Sequence, residues 1–205
     1  MEQLTITDLM LDRLDLATTN TRAHLLSLRN AGGHWEGELS SSALSTATAI
    51  VALHGVDASK HQAFIQAGAR WLANHPNADG GWGDTTISKS NLSTTLLGWS
   101  ALKLTGTPSA ACESWIVAQV GSLEPEAIAR AVVARYGKDK TFSVPILMLC
   151  TIGGTMGADP WKRVLPLPFE LAALPRSWFG AVGLPVVSYA LPALIAIGYT
   201  RFKNA

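Results

Sequence analysis

Apolar residues in this chain recur mostly at three- and four-residue intervals, the period of a helix with one buried face. Leu11, Leu14, Thr18, Thr21, Leu25 and Leu28 set the rhythm and predict a first helix over 7–30, with Gly32 as its C-terminal stop. The same reading predicts helices over 42–54, 58–74, 91–105, 108–121, 124–137 and 141–152, and almost no strand. From Trp161 onward the texture changes. Pro160, Pro166, Pro168 and Pro175 cut a proline-rich surface segment, 160–183, into single helical turns. Residues 177–200 carry no charge and lie between Arg176 and Arg201, a length that would span a bilayer. Pro185, Pro192, Gly180, Gly183 and Gly198 break that stretch. A buried hairpin or bent helix touching lipid is therefore expected in place of a span.

Two of the predicted turns are alike. Asp79-Gly80-Gly81-Trp82-Gly83-Asp84 runs into a helix that Asn91 or Ser93 can cap, with Leu92, Leu96, Leu97 and Trp99 as its apolar positions. Paired glycines allow a tight turn with positive φ, and a tryptophan offers a flat apolar plate to close the end of a helix pair. The earlier copy is Gly32-Gly33-His34-Trp35-Glu36-Gly37-Glu38-Leu39. Trp82 follows Trp35 by 47 residues, and Leu92-Ser93-Thr94 follows Leu44-Ser45-Thr46 by 48. A fainter echo pairs Trp71-Leu72 with Trp115-Ile116, 44 residues apart. Spacings of this size mark stacked helical hairpins, each needing neighbours to bury its apolar face. Trp35 and Trp82 are accordingly expected in equivalent places.

Composition narrows the partners. Hydrophobic residues make up 48% of the 205 and charged ones 15%, with a mean hydropathy of +0.21. A net charge of +1 argues against nucleic acid as a partner and leaves a buried core or a membrane surface as the use for so much apolar surface. Cys112 and Cys150 lie in apolar helical surroundings and read as reduced core residues. Glu2, Asp8, Asp12 and Asp15 interrupt any leader-like apolar stretch. The expected location is cytoplasmic, peripheral or monotopic at the membrane.

Chemical motifs are few. Asp8, Asp12 and Asp15 share one helix face and read as a solvated helix start, where carboxylates suit the macrodipole. His24, His34, His54, His61 and His75 have no metal-ligand spacing, so neither metal nor cofactor is expected. Glu36 and Glu38, two residues apart beside Trp35, are expected to accept backbone N–H groups, as Asp84 would in its copy, in preference to an acid–base pair. The glycine-rich stretch 153–159 lacks the lysine of a phosphate loop and reads as a plain turn.

Trp71-Leu72, then Asp79-Gly80-Gly81-Trp82-Gly83 and Leu92-Ser93-Thr94-Thr95, resembles the Gln–Trp repeat of squalene–hopene and oxidosqualene cyclases. Gly33-His34-Trp35-Glu36-Gly37-Glu38-Leu39 is similar to the stretch that opens the amino-terminal domain of the bacterial squalene–hopene cyclases. Leu174-Pro175-Arg176-Ser177-Trp178 and Pro185-Val186-Val187-Ser188-Tyr189 resemble the segment closing that domain's first pass. The likeness is strongest over 23–201. It implies an all-α fold, an incomplete α/α-toroid of helical hairpins, with 1–205 as a single amino-terminal-like domain. In the first of these copies Asn74 and His75 stand near the glutamine that usually bonds the turn backbone.

The resemblance also implies what is missing. These cyclases begin by protonating an alkene or epoxide from an Asp-x-Asp-Asp motif in their other toroid domain, and no such motif occurs in this sequence. The chain is therefore expected to be inactive alone, as a split subunit or fragment, with no catalytic residue of its own. By resemblance Trp178, Pro185, Tyr189 and Phe142 would line a cavity for a polyprenyl or triterpene lipid, completed by a second domain or chain. Gly33, Trp35, Gly37, Glu38, Trp71, Asp79, Gly80, Gly81, Trp82 and Gly83 would be structural. A non-catalytic toroid that binds lipid or a partner, and a small integral membrane protein, are the alternative classes. Leu184, Val187, Leu191, Leu194 and Ile195 are expected to form an apolar surface that a second polypeptide or lipid covers.

Overall fold

Ten consecutive residues of one helix, Ser93 to Leu102, are all buried, so the fold is best described outward from it. The computed structural model describes residues 6–37, 39–181 and 191–205. Its helices are α1 (Ile6–Ser27), α2 (Ala43–Asp57), α3 (Gln62–Asn74), α4 (Leu92–Leu104), α5 (Ala110–Val120), α6 (Pro125–Tyr136), α7 (Lys140–Ile152), α8 (Arg176–Ala181) and α9 (Leu191–Asn204). Two 3-10 turns, Pro160–Arg163 and Phe169–Ala173, carry the proline-rich segment. Among the described residues there is no strand. Packed helix pairs in this order are of the expected α/α-toroid type. The chain divides into two units, Met1–Ser40 and Ser41–Ala205.

In the second unit α4 packs against α2, α3, α5 and α7, α6 against α5 and α7, and α9 against α7 and both 3-10 turns. Its central place explains the composition of α4. A helix covered on all sides needs apolar residues all round, and its hydroxyls must find partners inside. Ser100 shares a 2.9 Å hydrogen bond with Thr155 and Ser93 one of 2.6 Å with Tyr136. Of the two expected caps it is the Asn91 side chain that caps the helix, by accepting the Thr94 N–H. Leu72 of α3 and Ile116 of α5, the fainter echo, are both fully buried. Pro145 stands inside α7, where it removes one helix bond.

Most helix limits fall within three residues of the sequence reading. One differs more: α3 begins at Gln62, not 58. Asp57 accepts the Ser59 hydroxyl at 2.7 Å and the Lys60 N–H at 3.0 Å, and that local turn competes with helix over 58–61. The uncharged stretch contains the end of α8 and the start of α9, and no described helix is long and apolar enough to cross a membrane.

The first unit consists of α1 and the turn after it. Leu11, Leu14, Leu25 and Leu28, expected as a buried stripe, are each more than half exposed. Asp12 and Asp15 are exposed as expected. In the second unit Cys112 and Cys150 are free and buried. Burial pushes their thiols up to about 12 and about 11, so both stay protonated and unreactive.

Candidate functional site

Both glycine–tryptophan turns have the same backbone. In the first, the Gly33 N–H donates to Asn30 O and the Asn30 N–H to His34 O, both at 3.0 Å. In the second, Gly80 donates to Asn77 O at 2.9 Å and Asn77 to Gly81 O at 2.8 Å. Gly33 and Gly80 have φ of 81° and 88°, the left-handed region that a Cβ disfavours. The pairs Asn30/Asn77 and Gly33/Gly80 keep the 47-residue offset of Trp35/Trp82. The asparagines escaped the sequence reading, although that offset carried directly back to residue 30 would have found them.

The side chains then diverge. Asp79 accepts the Gly81 N–H at 3.1 Å, the Ser90 hydroxyl at 2.6 Å and, through its other oxygen, the Trp115 indole N–H at 3.0 Å. Hydrogen bonding, the Ser90 hydroxyl first, holds its carboxyl below the usual range. The Trp82 N–H donates to Thr95 Oγ1 at 3.0 Å, and the same hydroxyl donates back to Trp82 O. Asn77 donates to Ser88 O and Ser90 Oγ. This amide, not Asn74 or His75, ties the loop. His75 instead donates from Nδ1 to Trp71 O and stacks on the Trp71 ring at 4.7 Å.

Asp84 does not accept backbone N–H groups as expected. It accepts the Thr94 hydroxyl and the Asn91 side-chain amide, so it caps α4 through the side chains that begin that helix. These two bonds, with Arg135 adding less, hold its carboxyl below the usual range. In the first turn Glu36 faces His34 at 3.3 Å, both largely exposed, while Glu38 lies outside the described residues.

Trp35 and Trp82 do not share an environment, contrary to expectation. Trp82 is 3% exposed, and among the described residues its indole N–H has no acceptor. Trp35 is 47% exposed, donates to Leu25 O at 2.6 Å and lies under the Arg29 guanidinium. The cause is visible in close contacts. A Cβ at Gly81 would lie 2.8 Å from Ser90 Cβ, and one at Gly83 would lie 2.6 Å from Lys89 O. The second turn thus packs tightly on the loop leading to α4. Among the described residues nothing lies within 4 Å of a Cβ placed at Gly37.

Of the residues expected to line a cavity, Phe142 is 56% exposed and stacks on Tyr136 at 5.6 Å. The Ser93 bond to the Tyr136 hydroxyl fixes the partner ring. Trp178 is 60% exposed, and Pro185 and Tyr189 lie outside the described residues. Phe142 is thus paired with Tyr136, which the sequence reading did not name, and Phe169 packs separately against Tyr199 and Phe202 at 5.9 and 5.8 Å. Of the expected apolar surface, Leu191 is exposed and Leu194 and Ile195 are half-buried, while Leu184 and Val187 lie outside the described residues.

The family model described as the squalene-hopene cyclase N-terminal domain matches residues 18–190. The chain belongs to this family. A terpene cyclase–glycosyl transferase fusion protein of Humicola fuscoatra is 28% identical over 179 residues, which cover 85% of this chain and 12% of that protein. The chain thus spans only a small part of that relative. No solved structure matches. For a squalene-hopene cyclase N-terminal domain, the packed glycine–tryptophan turn has a plain meaning. Its Asp84 bonds Asn91 and Thr94 at the start of α4, and Ser93 beside them bonds the Tyr136 hydroxyl.

Proposed function

We propose that the chain supplies one wall of a terpene-cyclising cavity for a polyprenyl or triterpene lipid, and that the proton starting the reaction comes from a second domain or polypeptide. The family match over residues 18–190 carries this reading. Polyene cyclisation passes through carbocations, which aromatic faces stabilise by their quadrupoles where water is excluded. The exposed rings of Phe142 and Trp178, with Tyr136 behind Phe142, are the groups assigned to that task. Pro185 and Tyr189 join them by resemblance.

The acid is assigned elsewhere on chemical grounds. Alkene protonation needs a carboxyl group that still holds its proton in a dry site. No Asp-x-Asp-Asp stretch occurs in this sequence, and hydrogen bonds hold Asp57, Asp79 and Asp84 below the usual carboxylate range, which disfavours these three as proton donors.

Two measurements test the proposal. Purified alone and given squalene, the chain should form no polycyclic product above background by gas chromatography. A product abolished by changing one of its own aspartates would refute the assignment. When the chain is supplemented with a cyclase domain that carries Asp-x-Asp-Asp, Phe142→Ala and Trp178→Ala should each lower product formation about tenfold with unchanged melting. Unchanged turnover in both variants would remove these rings from the cavity.

A further inference from the structure

A cavity of about 630 Å³ lies between α6 and the segment around the first 3-10 turn, on residues that the proposed cyclisation does not use. Its volume falls within the usual range for small-molecule sites, roughly 300–1,000 Å³. Ala129 and Val133 from α6 and Leu165 from the facing segment give it an apolar floor. Charged groups form the rim: Arg130, Lys162 and Arg163 against Glu126 and Asp159.

The ion pairing decides what the rim can bind. Arg163 is mostly buried and committed. It pairs with Glu126 at 2.8 Å and donates to Met156 O and Ala158 O at 2.9 and 2.6 Å. Lys162 pairs with Asp159 at 3.0 Å. Both acids are thus matched, and among the described residues Arg130 forms no ion pair. Arg130 is exposed, and its guanidinium can take a carboxylate or phosphate by two parallel bonds. One net positive charge above an apolar floor suits an anion with a hydrocarbon tail.

We propose that this cavity binds such an amphiphile, a fatty carboxylate or alkyl phosphate, with its head on Arg130 and its chain along Ala129, Val133 and Leu165. The proposal does not depend on the cyclisation reading.

Calorimetry with the full chain tests it, using decanoate below its micelle concentration as the probe. Saturable one-to-one binding is expected. Acetate, which has the head without the tail, and decanol, which has the tail without the head, should each bind at least about tenfold more weakly. Arg130→Ala, on an exposed position, should weaken decanoate at least about tenfold without changing the melting temperature. Ala134→Glu, which adds an acid at the rim, should act in the same direction. Decyl phosphate in place of decanoate separates the two head groups, and binding of either supports the proposal. Equal affinity for decanol, wild-type affinity in both variants, or binding seen only with anionic phospholipid vesicles would each overturn it.

Discussion

The turns at 32–37 and 79–84 share their backbone hydrogen bonds and a left-handed glycine, yet one tryptophan is sealed in a core and the other stands half in water. Local geometry is therefore set by the motif, and burial is set by the neighbouring segments that its side chains can hold. Aligned at 47 residues, Asp79, Gly81, Gly83 and Asp84 correspond to Gly32, His34, Glu36 and Gly37. The first set holds two carboxylates that reach Trp115 and Thr94, and two glycines against which a loop closes. The second has side chains where contact would have to form, and glycines where acceptors would be needed. A repeated turn becomes a core element only when its variable positions make tertiary bonds.

The strongest way to break this comparison is to truncate both rings. Trp82→Ala should cost about 3–5 kcal/mol, the range for a large buried aromatic. Trp35→Ala, at 47% exposure, should cost under about 1 kcal/mol. Urea titration followed by far-UV circular dichroism separates them, and equal losses would show that both turns are core.

Glycines give the next largest contrast. Gly83→Ala should lose about 1–3 kcal/mol by overpacking against the carbonyl groups of Ser88 and Lys89. Gly37→Ala meets nothing within 4 Å and its φ is not left-handed, so it should leave stability unchanged or raise it by about 0.5 kcal/mol. The same titration reads both.

Acid sharpens the comparison further, because the second turn places Asp79 and Asp84 on partners from α5 and the start of α4, while Glu36 of the first turn faces His34 of the same turn. The Asp84 pKa is lowered in the folded state, so its stabilisation is complete above the unfolded carboxylate pKa, about 3.9. It is lost as pH falls through the folded value. Asp84→Asn should cost about 1 kcal/mol at neutral pH. The gap from wild type should close as melts are recorded toward acid pH below that range, and a gap independent of pH would show that charge plays no part. A smaller loss than that of Asp84→Asn should come from Trp115→Phe, which releases Asp79 from α5 at a cost of about 0.5–1 kcal/mol. Asp79→Asn in the same background should then add less than it does alone.

Much of this was legible beforehand, and the exceptions have physical causes. Helices α2 to α7 followed from periodicity because apolar spacing fixes a helix whatever covers it. The Asn91 cap was visible because a side-chain acceptor at a helix start acts locally. The exposure of Trp35 was harder to see, since an indole reads the same in a core or in water. His34 in the place of Gly81 was the available signal. Tyr136 was invisible for another reason: its bond to Ser93 joins residues 43 apart, and no local pattern encodes such a pairing. Phe142, Trp178, Pro185 and Tyr189 came from resemblance, which names positions but not the ring that stacks on Phe142.

Pro145 has a consequence for timescale. Without its N–H, the carbonyl of Thr141 loses the helix bond that would tie the first turn of α7 to the second. Thr141 is exposed, so water can serve that carbonyl at little cost. Leu147 and Cys150, beyond Pro145, are fully buried and should keep their amide hydrogens longest in native-state exchange, with the exposed Thr141 and Phe142 exchanging sooner. The Phe142 ring thus stands at the end of α7 where one helix bond is missing, next to Ser143 and Val144, which are fully buried.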